Sequence, residues 1–159
     1  MVIVADASPL ICFAIIGKLD LLDRLFESLI VPEEVYKEVT FTKKPYSTEL
    51  SNYLKDKKRK INNTLAVKML SMEVDRGEAE AIVLALELGI SQILIDDYKG
   101  RKVSQKQGLL TIGTIGALIE SKKKNYITGV KPYMDLLIEN DIRISKELYN
   151  KALELAGEI

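Results

Sequence analysis

Two short apolar runs end in acids. Val2-Ile3-Val4-Ala5 runs into Asp6, and Gln92-Ile93-Leu94-Ile95 runs into Asp96-Asp97. A single acid at a strand end is often only a cap for the helix that follows. Two such ends in one small chain, one of them doubled, suit a metal site equally well, because buried carboxylates repel unless a cation neutralises them. Glu38 adds to the set. In Val31-Pro32-Glu33-Glu34-Val35-Tyr36-Lys37-Glu38-Val39 the buried stripe is Val31, Val35 and Val39. Glu38 borders that stripe and can reach inward. Glu33 and Glu34 sit in the first turn, where acids suit the helix dipole. Glu78 and Glu80 open another helix and lie roughly 200° apart around it. Glu78 shares its face with Ile82 and Ala85, so it is expected to point into a site. Glu80 shares a face with Leu84 and Glu87 that reads as more exposed, and is kept as a supporting residue.

An oxygen-only acidic set suits hard cations, Mg²⁺ or Mn²⁺. Such ions can activate water and stabilise the leaving oxygen of a phosphodiester. The chain has no histidine, which removes Ser-His-Asp triads, Cys-His pairs and histidine-based ribonuclease chemistry. Its one cysteine, Cys12, lies in an apolar stretch. A buried thiol is expected there, and neither an internal disulfide nor a zinc site can be built.

Elements that could position these acids are legible. Val2–Ala5 reads as a buried strand. Ser8-Pro9 reads as a helix start with Ser as the cap, and Gly17 as its end. Leu29-Ile30-Val31 is a second strand, with a helix from Pro32. Residues 40–60 are polar and lysine-rich, and are expected to form a loop with a short surface helix and a mobile segment at Lys55–Lys60. Helical patterns follow at 65–74 and from Gly77 to Gly89, then strands at 92–95 and 109–112. Helices are expected to fill most of 113–124, 131–139 and 145–156. Short continuous apolar strands alternating with helices predict an α/β fold with a parallel sheet covered on both faces. Sites in such sheets form beyond the carboxyl ends of the strands.

The chain has 159 residues, 47% of them hydrophobic and 29% charged, with zero net charge. One domain spanning 1–159 is expected. No apolar run is long enough for a membrane span, and the start does not read as a signal peptide, so a cytoplasmic location without membrane partners is expected. Charge is segregated: 43–68 and 99–124 are basic, while acids concentrate in 20–38 and 73–97. Lys99, Arg101 and Lys102 follow the Asp pair directly and could hold phosphates. Solvated helix faces would give the same pattern. Among Tyr36, Tyr46, Tyr53 and Tyr98, the last, beside the Asp pair, is the one singled out to stack a base if exposed, with packing the favoured reading for all four.

These residues also resemble a family. Asp6-Ala7-Ser8-Pro9-Leu10-Ile11 resembles the opening motif of PIN domains, which include VapC-like toxin ribonucleases. Val31-Pro32 with Val35 and Glu38 resembles the second motif. Gly77-Glu78-Ala79-Glu80-Ala81-Ile82 resembles the third, in the Glu-rich form of a poorly characterised subfamily. Ile95-Asp96-Asp97 with Gly100-Arg101 resembles the fourth, and 114–145 the subfamily's tail. The resemblance implies a three-layer α/β/α fold with a parallel sheet of four or five strands. It implies a Mg²⁺- or Mn²⁺-dependent nuclease acting on single-stranded RNA. Asp6, Glu38, Glu78 and Asp97 would be the catalytic acids, with Asp6, Glu78, Asp96 and Asp97 around the metal and Ser8 as a polar helper. It further implies a small antitoxin protein as partner and a homodimer as the default assembly. Two departures stand out: Glu78 replaces the Asp more usual in VapC-like toxins, and the fourth motif has Ile95 where many relatives have Thr or Ser and doubles the Asp, which leaves the choice between Asp96 and Asp97 open. The rival readings are a non-catalytic PIN-like nucleic-acid-binding module and a Mg²⁺-dependent phosphatase. The phosphatase would want a second Asp where Ser8 stands. A receiver-type domain would want an acidic pair near the first strand's end.

Overall fold

The computed structural model describes residues 1–159. In chain order the elements are β1 (Val2–Ala5), α1 (Ala7–Ile15), α2 (Leu19–Leu25), β2 (Ser28–Pro32), α3 (Glu33–Thr40), α4 (Ser47–Leu54), β3 (Lys58–Arg59), α5 (Thr64–Leu70), α6 (Arg76–Glu87), β4 (Gln92–Leu94), α7 (Tyr98–Lys106), β5 (Leu110–Ile112), α8 (Thr114–Lys123), α9 (Lys131–Glu139) and α10 (Lys146–Leu155). The strands form one sheet in the order β3-β2-β1-β4-β5, every pairing parallel.

Strand alternation builds two cores. Ile3, Ala5, Leu29, Val31 and Leu94 join the cluster under α1, α2, α8, α9 and α10, which also takes in Val35 and Val39 of α3. Val4, Ile30, Ile93 and Ile95 join a second cluster under α5, α6 and α7. Both sheet faces are thus covered, which is why the strands read as unbroken apolar runs. The result is a three-layer α/β/α domain.

The helix boundaries correct one expectation. Asp6, with extended backbone, is the N-cap position of α1, so Ser8 and Pro9 lie inside the first turn. Pro9 is tolerated there because the first four N–H groups of a helix have no partner within it. The lysine-rich stretch gives a second correction. Lys58–Arg59 is an edge strand paired to β2, and Val31 N–H donates to Lys57 O at 3.0 Å. A charged, two-residue edge discourages further pairing. The helix expected within 40–60 exists as α4, and Leu50 and Leu54 anchor it fully in the core.

The C-terminal end is fastened by one side chain. Glu158 accepts the N–H groups of Val130 (2.8 Å) and Lys131 (3.1 Å), at the start of α9, and the Lys122 ammonium at 3.1 Å. These donors hold its carboxyl below the usual range against the burial that opposes them. Glu158→Ala is expected to destabilise the protein by about 2 kcal/mol, as a charge-assisted cap is lost. Urea denaturation measures it, and an unchanged midpoint would show that the latch contributes nothing.

Candidate active site

β1 and β4 are neighbours, but the chain runs β1 to β2 on one side of β1 and returns to β4 on the other. That reversal is a topological switch point, where a crevice opens beyond the strand ends. Asp6 ends β1 there, and its N–H donates to Leu94 O at 2.8 Å. Asp96 and Asp97 leave β4 beside it.

Asp6 occupies the N-cap position of α1 yet makes no side-chain cap bond. It is buried, with 5% of its surface exposed. Burial pushes its carboxyl up to about 8, with further contributions from the charges of Glu78, Asp75 and Glu38. The charges of Glu78, Asp75 and Glu38 thus reach the Asp6 carboxyl. Glu78 is also buried and is pushed up to about 7, first by burial, then by the charges of Asp75 and Asp97. Glu38 stands at the exposed rim, raised by burial and by Asp75 and Glu34.

Asp75 was missed at the level of sequence. It caps α6: its Oδ1 accepts Glu78 N–H at 2.8 Å, while Asp75 N–H donates to Glu78 Oε2 at 3.0 Å. This reciprocal capping box satisfies two otherwise orphaned helix N–H groups and fixes the Glu78 carboxylate. The Asp-x-x-Glu spacing of residues 75–78 was the signal for it. Two glycines let the acids approach. A Cβ at Gly77 would lie 2.7 Å from Glu38 Oε1, and one at Gly100 would lie 3.1 Å from Glu78 Oε1. Asp97 caps α7, accepting Gly100 N–H at 3.0 Å.

The Asp pair divides. Adjacent residues in extended chain point to opposite sides. Asp97 faces Glu78, whereas Asp96 turns to the start of α8. Its Oδ1 accepts Thr114 N–H (2.7 Å), and its Oδ2 accepts the hydroxyls of Thr114 (2.7 Å) and Ser8 (3.3 Å). Ser8, expected to assist Asp6, thus donates to Asp96. Asp96, expected around the metal, is committed to these three donors.

Glu80 is corrected more sharply. It is not on an exposed face but buried, with 5% of its surface exposed. It accepts Glu34 N–H at 3.3 Å and pairs with Arg76 at 3.3 Å. The start of α3 covers the face that helical periodicity left open. These contacts leave it outside the group that couples to Asp6.

The basic residues sit where α7 begins. Lys99 and Lys102 are exposed, and Arg101 is half-buried with Nη1 donating to Ile95 O at 3.1 Å. Tyr98 is 74% exposed, and the Lys102 ammonium lies 5.4 Å from its ring centroid. Tyr36 and Tyr53 are instead packed, covered by Lys58 and Lys57 at 4.4 and 4.6 Å. Tyr46 also packs against the core. Cys12 is buried, and burial pushes its thiol up to about 12.

The donor chemistry fits a hard divalent cation. The facing acids offer oxygen alone, and none of Asp6, Glu38, Asp75, Glu78 or Asp97 has a protein cation as ion-pair partner. The arrangement is open: no three acidic side chains converge as ready-made ligands around one point. Hydrogen bonds from Asp75 and Gly100 hold Glu78 and Asp97 in their capping roles.

A parallel three-layer domain with acids gathered at its switch point defines a PIN-like α/β domain. The chain matches the family described as DUF3368, a PIN domain, over residues 2–158, and it belongs to that family. No curated protein and no solved structure matches it. No helix is long and apolar enough to cross a membrane.

Proposed function

We propose that this protein is a divalent-cation-dependent nuclease that hydrolyses phosphodiester bonds of single-stranded RNA. One observation carries the reading: the buried Asp6 and Glu78 lie within reach of the charges of Glu38, Asp75 and Asp97 at the switch point, and none of these acids has an ion-pair partner. Like charges assembled at that cost call for a bound cation. Asp6, Glu78 and Asp97 would hold it, with Glu38 at the rim. A bound Mg²⁺ or Mn²⁺ supplies charge neutralisation and activation of water. Asp75 orients Glu78 through the capping box. Lys99, Arg101 and Lys102 hold the phosphates flanking the cleaved bond. With no histidine in the chain, protons would be moved by Asp, Glu, Lys or Tyr side chains or by cation-bound water. RNA as the substrate is supported by these basic residues and by the resemblance to PIN ribonucleases.

The open arrangement of the acids favours one second reading, a PIN-like module that binds nucleic acid without cutting it. The test is cleavage of a mixed single-stranded RNA pool with Mn²⁺ or Mg²⁺, beside EDTA and Asp6→Asn. Cation-dependent cutting is expected, lost in EDTA and in the variant. Cutting that survives in carefully purified Asp6→Asn would sink the assignment. RNA binding with neither cutting nor Mn²⁺ affinity would establish the binding module.

A further inference from the structure

A cleft of about 470 Å³ opens beside Asp96, between the first turn of α7, the free edge of β5, and α8 and α10. Its walls include Ile115, Leu148 and Leu155, and the last two are 44% and 59% exposed. Arg101 and Lys151 also line it, and neither makes an ion pair. One Arg101 nitrogen is tied to Ile95 O at 3.1 Å, which fixes the guanidinium while leaving other N–H donors free. The exposed Tyr98 ring adds a stacking surface at the same place.

We propose that this cleft is a nucleotide subsite that takes one base of single-stranded RNA next to the cleaved phosphate. The proposal rests on the nuclease reading above. Apolar walls with a few fixed polar groups suit a flat heterocycle, and the volume lies in the range of small-ligand sites. Unpaired cations at the cleft suit the phosphates on either side of that base. Asp96 has about four acceptor positions, of which Thr114 and Ser8 take three. One remains for an N–H of the base. The first turn of α7 links the two places: its cap Asp97 faces Glu78, while Tyr98 and Arg101 line the cleft. A strand with a phosphate at Asp97 therefore has its neighbouring nucleotide beside the cleft.

Gly116 provides the probe. It is exposed, and a Cβ there would meet only Ile112 Cγ1, at 3.4 Å, so a larger side chain can fill the cleft. The experiment measures binding of a labelled single-stranded RNA octamer to the wild-type chain with Ca²⁺, a hard cation for the same oxygen ligands and a weaker activator of water. A set of octamers, each abasic at one position, is measured beside it. One abasic position is expected to weaken binding about tenfold, the order of one base's stacking. Gly116→Phe is expected to bind the parent octamer about tenfold more weakly and to ignore that abasic position. Leu148→Trp serves as a second plug should Gly116→Phe fail to fold. If the octamer binds but neither the abasic positions nor the plugs matter, the subsite is refuted and the cleft is left to a protein segment. If no octamer binds the unplugged chain, the RNA reading itself falls, and the subsite with it.

Discussion

Replacing Asp6 by Asn is expected to stabilise the metal-free protein at pH 8 while abolishing its cleavage activity. The Asp6 carboxyl is raised from 3.8 to about 8 in the folded chain. Between those values the folded protein keeps a proton that the unfolded chain has released, so stability falls as pH rises. The contribution is fully present below about pH 4 and gone above about pH 8. Glu78, raised from 4.5 to about 7, acts in the same direction. Wild-type protein in EDTA is therefore expected to lose a few kcal/mol of stability between pH 5 and pH 8. The Asp6 and Glu78 carboxyls are coupled to each other, so their separate contributions do not add. Asparagine keeps the shape of Asp6 and removes the charge that burial disfavours. The variant should be more stable than wild type at pH 8 by about 2–4 kcal/mol, and flatter across the range. Urea denaturation at the two pH values decides this. A wild-type chain more stable at pH 8 than at pH 5 in EDTA would show that Asp6 and Glu78 are not buried as described. Mn²⁺ supplies the second arm: it should stabilise wild type at pH 8, by binding the folded state alone, and leave Asp6→Asn unmoved.

The same acids show how far the sequence could be followed. Asp6 and the Asp96-Asp97 pair were legible because a strand buried on both faces is an unbroken apolar run, and its end is marked where the first charge appears. Their meeting in space needed only a parallel sheet with a switch point, which alternating strands and helices implied. Asp75 was hidden because it acts through backbone. It lies among exposed polar residues, and its role comes from the reciprocal bonds with Glu78. Glu80 misled because periodicity describes one helix at a time, whereas α3 covers that face and offers Glu34 N–H to its carboxylate. The edge strand at Lys58–Arg59 has no apolar pattern, since both side chains are exposed and only the pairing with β2 defines it. Glu80 and the edge strand are thus set by contacts between elements distant in sequence, whereas the Asp75 cap is local and is signalled only by its Asp-x-x-Glu spacing.

The doubled Asp can be resolved by experiment, because the two carboxylates answer to different partners. Asp97→Asn is expected to fold with less than about 1 kcal/mol of change, since asparagine also accepts the Gly100 N–H at a helix N-cap. It should nonetheless lose Mn²⁺ affinity and cleavage, having lost the charge facing Glu78. Asp96→Ala is expected to do the reverse. Thr114 N–H, the Thr114 hydroxyl and the Ser8 hydroxyl would all lose their acceptor. Thr114 is buried, so water cannot fully replace that acceptor, and the cost should be about 2–4 kcal/mol. Among folded molecules, Mn²⁺ affinity should stay near that of wild type. Asp96→Asn should recover part of the stability, because its carbonyl can still accept Thr114 N–H. Urea denaturation and calorimetric Mn²⁺ titration of the three variants read both quantities. If Asp96→Ala keeps its stability but loses Mn²⁺, and Asp97→Asn keeps Mn²⁺, the two roles are exchanged. The acids around the cation would then lie on the Thr114 side of the crevice rather than beside Glu78.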